Sequence, residues 1–194
     1  MSNKGRAIEE RVVQYVSDYA GKQISFKFSD NSVRTFDVAE RIHSGGFTTR
    51  NKWDIVINPA VRVQVKSTSS NRASVVNMVP VRNLLKMAER ELVDVQPALE
   101  LFYELLETGK SIKLSDHSDI DDWYDMLTYL LFEGTPTAQE VPSMQANYLL
   151  EVSDNGYMMV EKSDAIDYIW NNLTASIRYR KNKTEPCLHI RYGK

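Results

Sequence analysis

The sequence predicts a mixed α and β fold, with a central mixed β-sheet flanked by helices. Three observations carry this expectation. Short runs of alternating β-formers occur in both the first and last thirds of the chain, apolar residues recur at helical spacing at its start and through its middle, and turn residues separate the runs. A length of 194 residues suits one domain with a real core, and 42% apolar against 26% charged residues is ordinary usage for a folded chain. We read residues 1–194 as a single domain. Its core spans about 5–80, a helical middle about 81–140, and C-terminal hairpins with a helix 147–194.

Each element has its own signal. GRAIEERVVQYVSDYAG places Ile8, Val12, Tyr15, Val16 and Tyr19 on one stripe and stops at Gly21, which predicts a helix over about 5–20. At about 100° per residue, Glu10 falls opposite that stripe while Glu9 lies at its edge. QISFKF and SVRTFDVAERI, around Asp30-Asn31, predict a hairpin. HSGGFTTRNK is a glycine-containing basic loop. WDIVI (53–57) and VRVQVK (61–66) form a second hairpin around Asn58-Pro59-Ala60. VVNMVP reads as a further strand.

VRNLLKMAEREL, QPALELFYELLETG and SDIDDWYDMLTYLLFEG are helical, the last opening on Ser118 as N-cap with acidic residues in its first turn. NYLLEV and YMMVEK flank the turn Ser153-Asp154-Asn155-Gly156, DAIDYIWNNL is a helix, and SIRYRK with CLHIRY closes the chain as a strand pair.

Net charge is −2, which by itself makes no case for nucleic acid, but the charges are segregated. Residues 94–140 hold eleven carboxylates against Lys110 and Lys113, whereas residues 178–194 hold six basic residues against Glu185. Arg50, Lys52, Arg62, Lys66 and Arg72 form a second basic region around Asp54. Two basic regions flanking an acidic one suit a polyanion surface. His43, His117 and His189 lack metal-ligand spacing, so no zinc site is expected, and they are read as structural or DNA-facing. The single Cys187 excludes an internal disulfide and reads as a structural thiol. No run is long enough to span a membrane and the N-terminus lacks a signal-peptide core, so a cytoplasmic protein is expected.

The polar residues of the second hairpin carry the chemistry. Alternation puts Val61, Val63 and Val65 on one face and Arg62, Gln64 and Lys66 on the other, while Asp54 opposes Trp53 and Ile55. A tight turn therefore brings Asp54, Gln64 and Lys66 together. A carboxylate and an amide oxygen suit a hard cation such as Mg²⁺, and a lysine beside it can handle a proton or stabilise charge on phosphate. A merely solvated hairpin face is the competing reading.

Asp54, nine intervening residues, then Gln64-Val65-Lys66 resembles the PD-(D/E)XK nuclease superfamily, type II restriction endonucleases above all. Trp53 stands where the motif has proline, and Gln64 where it has Asp or Glu. The resemblance covers about residues 5–80. It implies Asp54, Gln64, Lys66 and the helix carboxylate Glu9 as catalytic residues. It also implies Mg²⁺ held by Asp54, Gln64, Val65 and Glu9, and a homodimer cutting double-stranded DNA site-specifically. His43, Arg50, Lys52, Ser67, Thr68, Ser69, Asn71, Arg72, Arg178, Arg180, Lys181 and Lys183 are the expected DNA contacts. The alternative is a non-catalytic or shape-specific DNA-binding protein on a decayed nuclease fold, or a junction or repair nuclease.

Overall fold

A computed structural model of the chain describes residues 3–44, 51–68, 74–134, 142–179 and 184–193. It begins with helix α1 (Asn3–Ser17), the strands β1 (Gln23–Lys27) and β2 (Val33–Asp37), and a two-residue strand β3 (His43–Ser44). β4 (Ile55–Asn58), β5 (Val61–Thr68) and β6 (Ser74–Pro80) follow, then α2 (Val81–Glu89), α3 (Gln96–Thr108), β7 (Ser111–Lys113) and α4 (Asp121–Thr128). The chain continues with β8 (Tyr148–Ser153), β9 (Gly156–Glu161), α5 (Lys162–Trp170), β10 (Leu173–Tyr179) and β11 (Pro186–Tyr192). The fold is mixed α and β, as the sequence predicts.

The site-bearing sheet has the order β3-β4-β5-β8-β9 and is antiparallel except where β5 runs parallel to β8. A parallel pair needs a long crossover. Here the crossover carries β6, α2, α3, β7 and α4, most of a second layer. Its sheet, β6-β11-β10-β7, recruits the C-terminal strand pair. The small hairpin β1-β2 stands alone as a third sheet, its turn closed by Ser32 N–H donating to Asp30 Oδ1 at 2.8 Å with Asn31 left-handed at φ 67°.

Two apolar clusters follow from this layering. Val12 and Val16 of α1 pack with Ile24, Phe26, Ile55, Ile57, Val63, Val65, Leu150 and Met159 on one side of the five-stranded sheet. On the other side Leu149 and Val160 join the helices and the four-stranded sheet, around Trp123, Phe102, Phe132, Leu188 and Ile190. β5 thus buries Val61, Val63 and Val65 under α1, and its even-numbered residues face the second layer.

Three local expectations are corrected. The strand expected over 53–57 starts at Ile55, although Asp54 N–H still donates to Val63 O at 2.8 Å and so holds the register one residue further. Ser118 is not the cap of α4: Ile120 occupies that position without a side-chain hydrogen bond, while Asp121 and Asp122 fill the acidic first turn. The helix expected to run unbroken to Gly134 instead loosens into a π-helical turn over Tyr129–Glu133, closed by Gly134 N–H on Tyr129 O at 3.1 Å. Gly134 is required there, since a Cβ would lie 2.7 Å from Tyr129 Oη. Two short elements had no signal, β3 and β7, which owe their strand form to pairing with β4 and β10. No helix among the described residues is long and apolar enough to cross a membrane.

Candidate active site

Antiparallel pairing of β4 with β5 sets Ile55 against Val63, so the next residues outward, Asp54 and Gln64, oppose each other on the same face. Gln64 Nε2 donates to Asp54 Oδ2 at 2.6 Å, and Val65 N–H donates to the same oxygen at 2.7 Å. Asp54 Oδ1 receives no hydrogen bond among the described residues. The N–H and C=O of one strand residue point to the same side. The Val65 carbonyl therefore opens toward Asp54, where β4 has ended, while its side chain is buried under α1. Asp54, Gln64 and Lys66 each retain some exposed surface, although Asp54 and Lys66 are largely enclosed by the protein.

Four charged groups meet here. Burial pushes the Asp54 carboxyl above its usual range, against the opposing pull of Lys66, the Val65 N–H, Gln64 and Lys52. Glu9, half-buried on α1 while Glu10 is exposed, is also raised, by burial and then by the charge of Asp54, with Lys66 pulling the other way. Lys66 is lowered by burial, with Asp54 and Glu9 opposing. Its Nζ makes no hydrogen bond among the described residues. The facing expected for Glu9 holds, and α1 brings it into the electrostatic field of Asp54 and Lys66.

Lys52 is the residue whose role the sequence reading misjudged. Rather than lying free to meet phosphate, its Nζ donates to Leu130 O at 2.7 Å, and its N–H donates to Met144 O at 2.8 Å. Burial and then the neighbouring charge of Lys66 bring it down to about 8, while Asp54 opposes. The π-helical turn bears on the partner: Gly134 N–H bonds back to Tyr129 rather than to Leu130, so the Leu130 carbonyl lacks its α-helical donor and accepts from Lys52. Trp53 Nε1 donates to Ser143 O at 3.0 Å, adding a second tie between the chain before Asp54 and residues 142–146. The available signal was the two-residue spacing from Lys52 to Asp54, which puts both on one side of an extended chain.

The other expected contacts divide. His43 is exposed on β3, paired to Val56, and Arg178 is exposed on β10. Ser67 is half-buried, and its N–H is held by Ser74 Oγ at 2.8 Å. Thr68 is a correction: it is buried and donates to Glu151 Oε1 at 2.6 Å, because the even-numbered face of β5 has by then passed beneath the second layer. Arg50, Ser69, Asn71, Arg72, Arg180, Lys181 and Lys183 lie outside the described residues. Glu151, 2% exposed on β8, also accepts from Tyr168 Oη at 2.8 Å and Tyr192 Oη at 2.6 Å, and is the register partner of Lys66. Its signal in the sequence was one carboxylate inside the apolar run YLLEV.

Among the described residues no three His, Cys, Asp or Glu side chains converge as a metal site. The hard oxygen donors on offer are Asp54 Oδ1, which keeps vacant lone pairs, the Val65 carbonyl on the same side and the Glu9 carboxylate within their electrostatic reach, while Gln64 turns its nitrogen to Asp54. Such a set fits a small hard cation that keeps part of its water shell. Compared with known proteins, the chain matches no family model, no curated protein and no solved structure.

Proposed function

We propose that the protein is a Mg²⁺-dependent endonuclease of the PD-(D/E)XK type, a type II restriction enzyme that cuts double-stranded DNA as a homodimer. The observation that carries this reading is the meeting of Asp54, Gln64 and Lys66 on one face with Glu9 near enough to feel their charge. Asp54, Glu9, the Val65 carbonyl and, with its amide turned over, Gln64 would hold the ion, which when bound would supply Lewis-acid polarisation of a phosphate and acidification of water. Lys66 lies close to Asp54 and is depressed by burial, so it can accept or donate a proton near the scissile phosphate and offset its developing charge. Lys52, pinned by Leu130, contributes a second fixed positive charge. Exposed Leu85, Tyr103 and Leu106 on α2 and α3 support the helical layer as the dimer contact.

Plasmid DNA incubated with Mg²⁺ tests the proposal. Discrete fragments that vanish with chelator and with Asp54→Asn are expected; intact plasmid over a range of divalent ions and pH would overturn it. A non-catalytic DNA-binding role is the second reading, favoured by one observation: Gln64 already holds Asp54 Oδ2 without a cation. Tight binding of duplex with no cleavage under any ion would select it.

A further inference from the structure

The sheet β6-β11-β10-β7 has two unlike faces. Leu188, Ile190 and Tyr192 with Leu173 and Ala175 point into the helical core. On the opposite face the register sets Thr174 against Arg191, Ser176 against His189 and Arg178 against Cys187. His189 sits at the centre of this face. It is 8% exposed, yet neither Nδ1 nor Nε2 has a hydrogen-bond partner. Leaving both ring nitrogens of a buried imidazole unpaired costs free energy. A fold tolerates that cost more readily where a ligand meets the group.

The charges around it have one sign. Along β11, Arg191 and Cys187 lie two residues to either side of His189. Across β10, Arg178 and Ser176 face it, and β6 contributes Met78. One strand further, β7 presents Ser111 and Lys113, the latter paired with Asp116 at 3.5 Å. No carboxylate occupies a register position on this face, and neither Arg178 nor Arg191 forms an ion pair among the described residues. Burial, then the charges of Arg191 and Arg178, push the His189 pKa down. The sheet also adjoins the candidate active site at the start of β6: Ser74 pairs with Tyr192, and its Oγ accepts the N–H of Ser67, the residue after Lys66.

We propose that this sheet face binds the phosphodiester backbone of DNA through the guanidinium groups of Arg178 and Arg191, with His189 between them turning a ring N–H, enclosed in the free protein, to a phosphate oxygen. Charge complementarity identifies the occupant: three nitrogenous groups in steps of two residues, roughly 6.7 Å each along the strands, form a track for successive phosphates. The inference deepens the DNA-binding part of the proposed function and does not depend on cleavage. An anion seated there favours the protonated imidazole, so each complex takes up a proton and binding tightens as pH falls.

Anisotropy of a labelled mixed-sequence DNA duplex, titrated with the full chain in chelator so that cleavage is suspended, tests this. For wild type the affinity should rise as pH falls through the histidine range, by up to about tenfold per pH unit, and His189→Gln should flatten that rise. Arg178→Gln with Arg191→Gln should reduce the slope of log affinity against log salt by about 2. NMR titration of the wild-type histidine rings supplies a readout independent of the variants' folding, with one ring midpoint moving up when duplex is added. Equal pH dependence in wild type and His189→Gln, an unmoved midpoint, or displacement of duplex by millimolar inorganic phosphate would overturn the proposal. A chain that shows the linkage but never cuts would therefore refute the nuclease and leave this face standing.

Discussion

Gln64 Nε2 lies 2.6 Å from Asp54 Oδ2, and this bond fixes which way the amide faces. An ionised carboxylate only accepts, so the NH₂ end must turn to Asp54 and Oε1 is directed away from it. Gln64 therefore restrains Asp54 with its nitrogen, and its oxygen joins a cation beside Asp54 only after the amide turns over.

Replacing Gln64 with Glu should make the fold depend on divalent ions. The donor to Asp54 is lost and two carboxylates then oppose each other directly, which destabilises the charged pair until a cation or a proton arrives. Without Mg²⁺ the melting temperature of Gln64→Glu should fall below wild type, and saturating Mg²⁺ should raise it by more than it raises wild type. Identical responses to Mg²⁺ in the two proteins would mean that the ion does not bind between these strands.

Asp54→Asn and Lys66→Met should each reduce cleavage by about 10² or more while duplex binding in chelator survives. The pH profile of the wild type gives a second check. Asp54 and Glu9 hold their protons above the usual carboxylate range, so ion-dependent cleavage should be lost, as pH falls, earlier than two ordinary carboxylates would dictate. An acid limb at ordinary carboxylate values would remove both groups from the ion site.

How much of this arrangement was legible follows from the range of the forces involved. Alternation within β4 and β5 is local, so the side-by-side placement of Asp54, Gln64 and Lys66 could be read from eleven or so residues and a turn. The helical stripe of α1 likewise fixed the facing of Glu9. Lys52 was misjudged because its partner, the Leu130 carbonyl, is 78 residues away and loses its α-helical donor Gly134 to a π-helical turn that helix propensity does not signal. Thr68 was misjudged because strand alternation names a face but not what covers it. The second sheet escaped notice for the same reason: β6 and β7 find β10 and β11 across the whole chain.

The depressed Lys52 should leave a mark on stability. Folded, it releases its proton near 8; unfolded, near the ordinary 10.5. Between those values the unfolded chain binds more protons, so stability rises with pH across that window. Lys66, lowered by burial, adds the same sign, so the informative quantity is wild type minus Lys52→Met, measured by urea unfolding between pH 7.5 and 10. That difference should climb with pH. A flat difference would mean that Lys52 is solvated as an ordinary surface lysine.

Glu151 should be the costliest polar residue to remove outside the candidate site. Its two oxygens accept from Thr68 on β5, Tyr168 on α5 and Tyr192 on β11, so one carboxylate joins both large sheets and a helix. Hydrogen bonds to a charged group contribute about 1.5 to 3 kcal/mol each, and an orphaned buried hydroxyl costs about 1 to 3 kcal/mol. Glu151→Ala should thus lower the urea midpoint far more than Tyr168→Phe, with Tyr192→Phe between them because Tyr192 is fully buried. Glu151→Gln keeps the shape and one acceptor, and should lie near Tyr192→Phe. Since Lys66 is the register partner of Glu151, Glu151→Gln should also cut more slowly under conditions where it is fully folded, with duplex affinity unchanged. An unaltered urea midpoint for Glu151→Ala would show that the three hydroxyls do not depend on it, and normal cleavage by folded Glu151→Gln would separate the clamp from the positioning of Lys66.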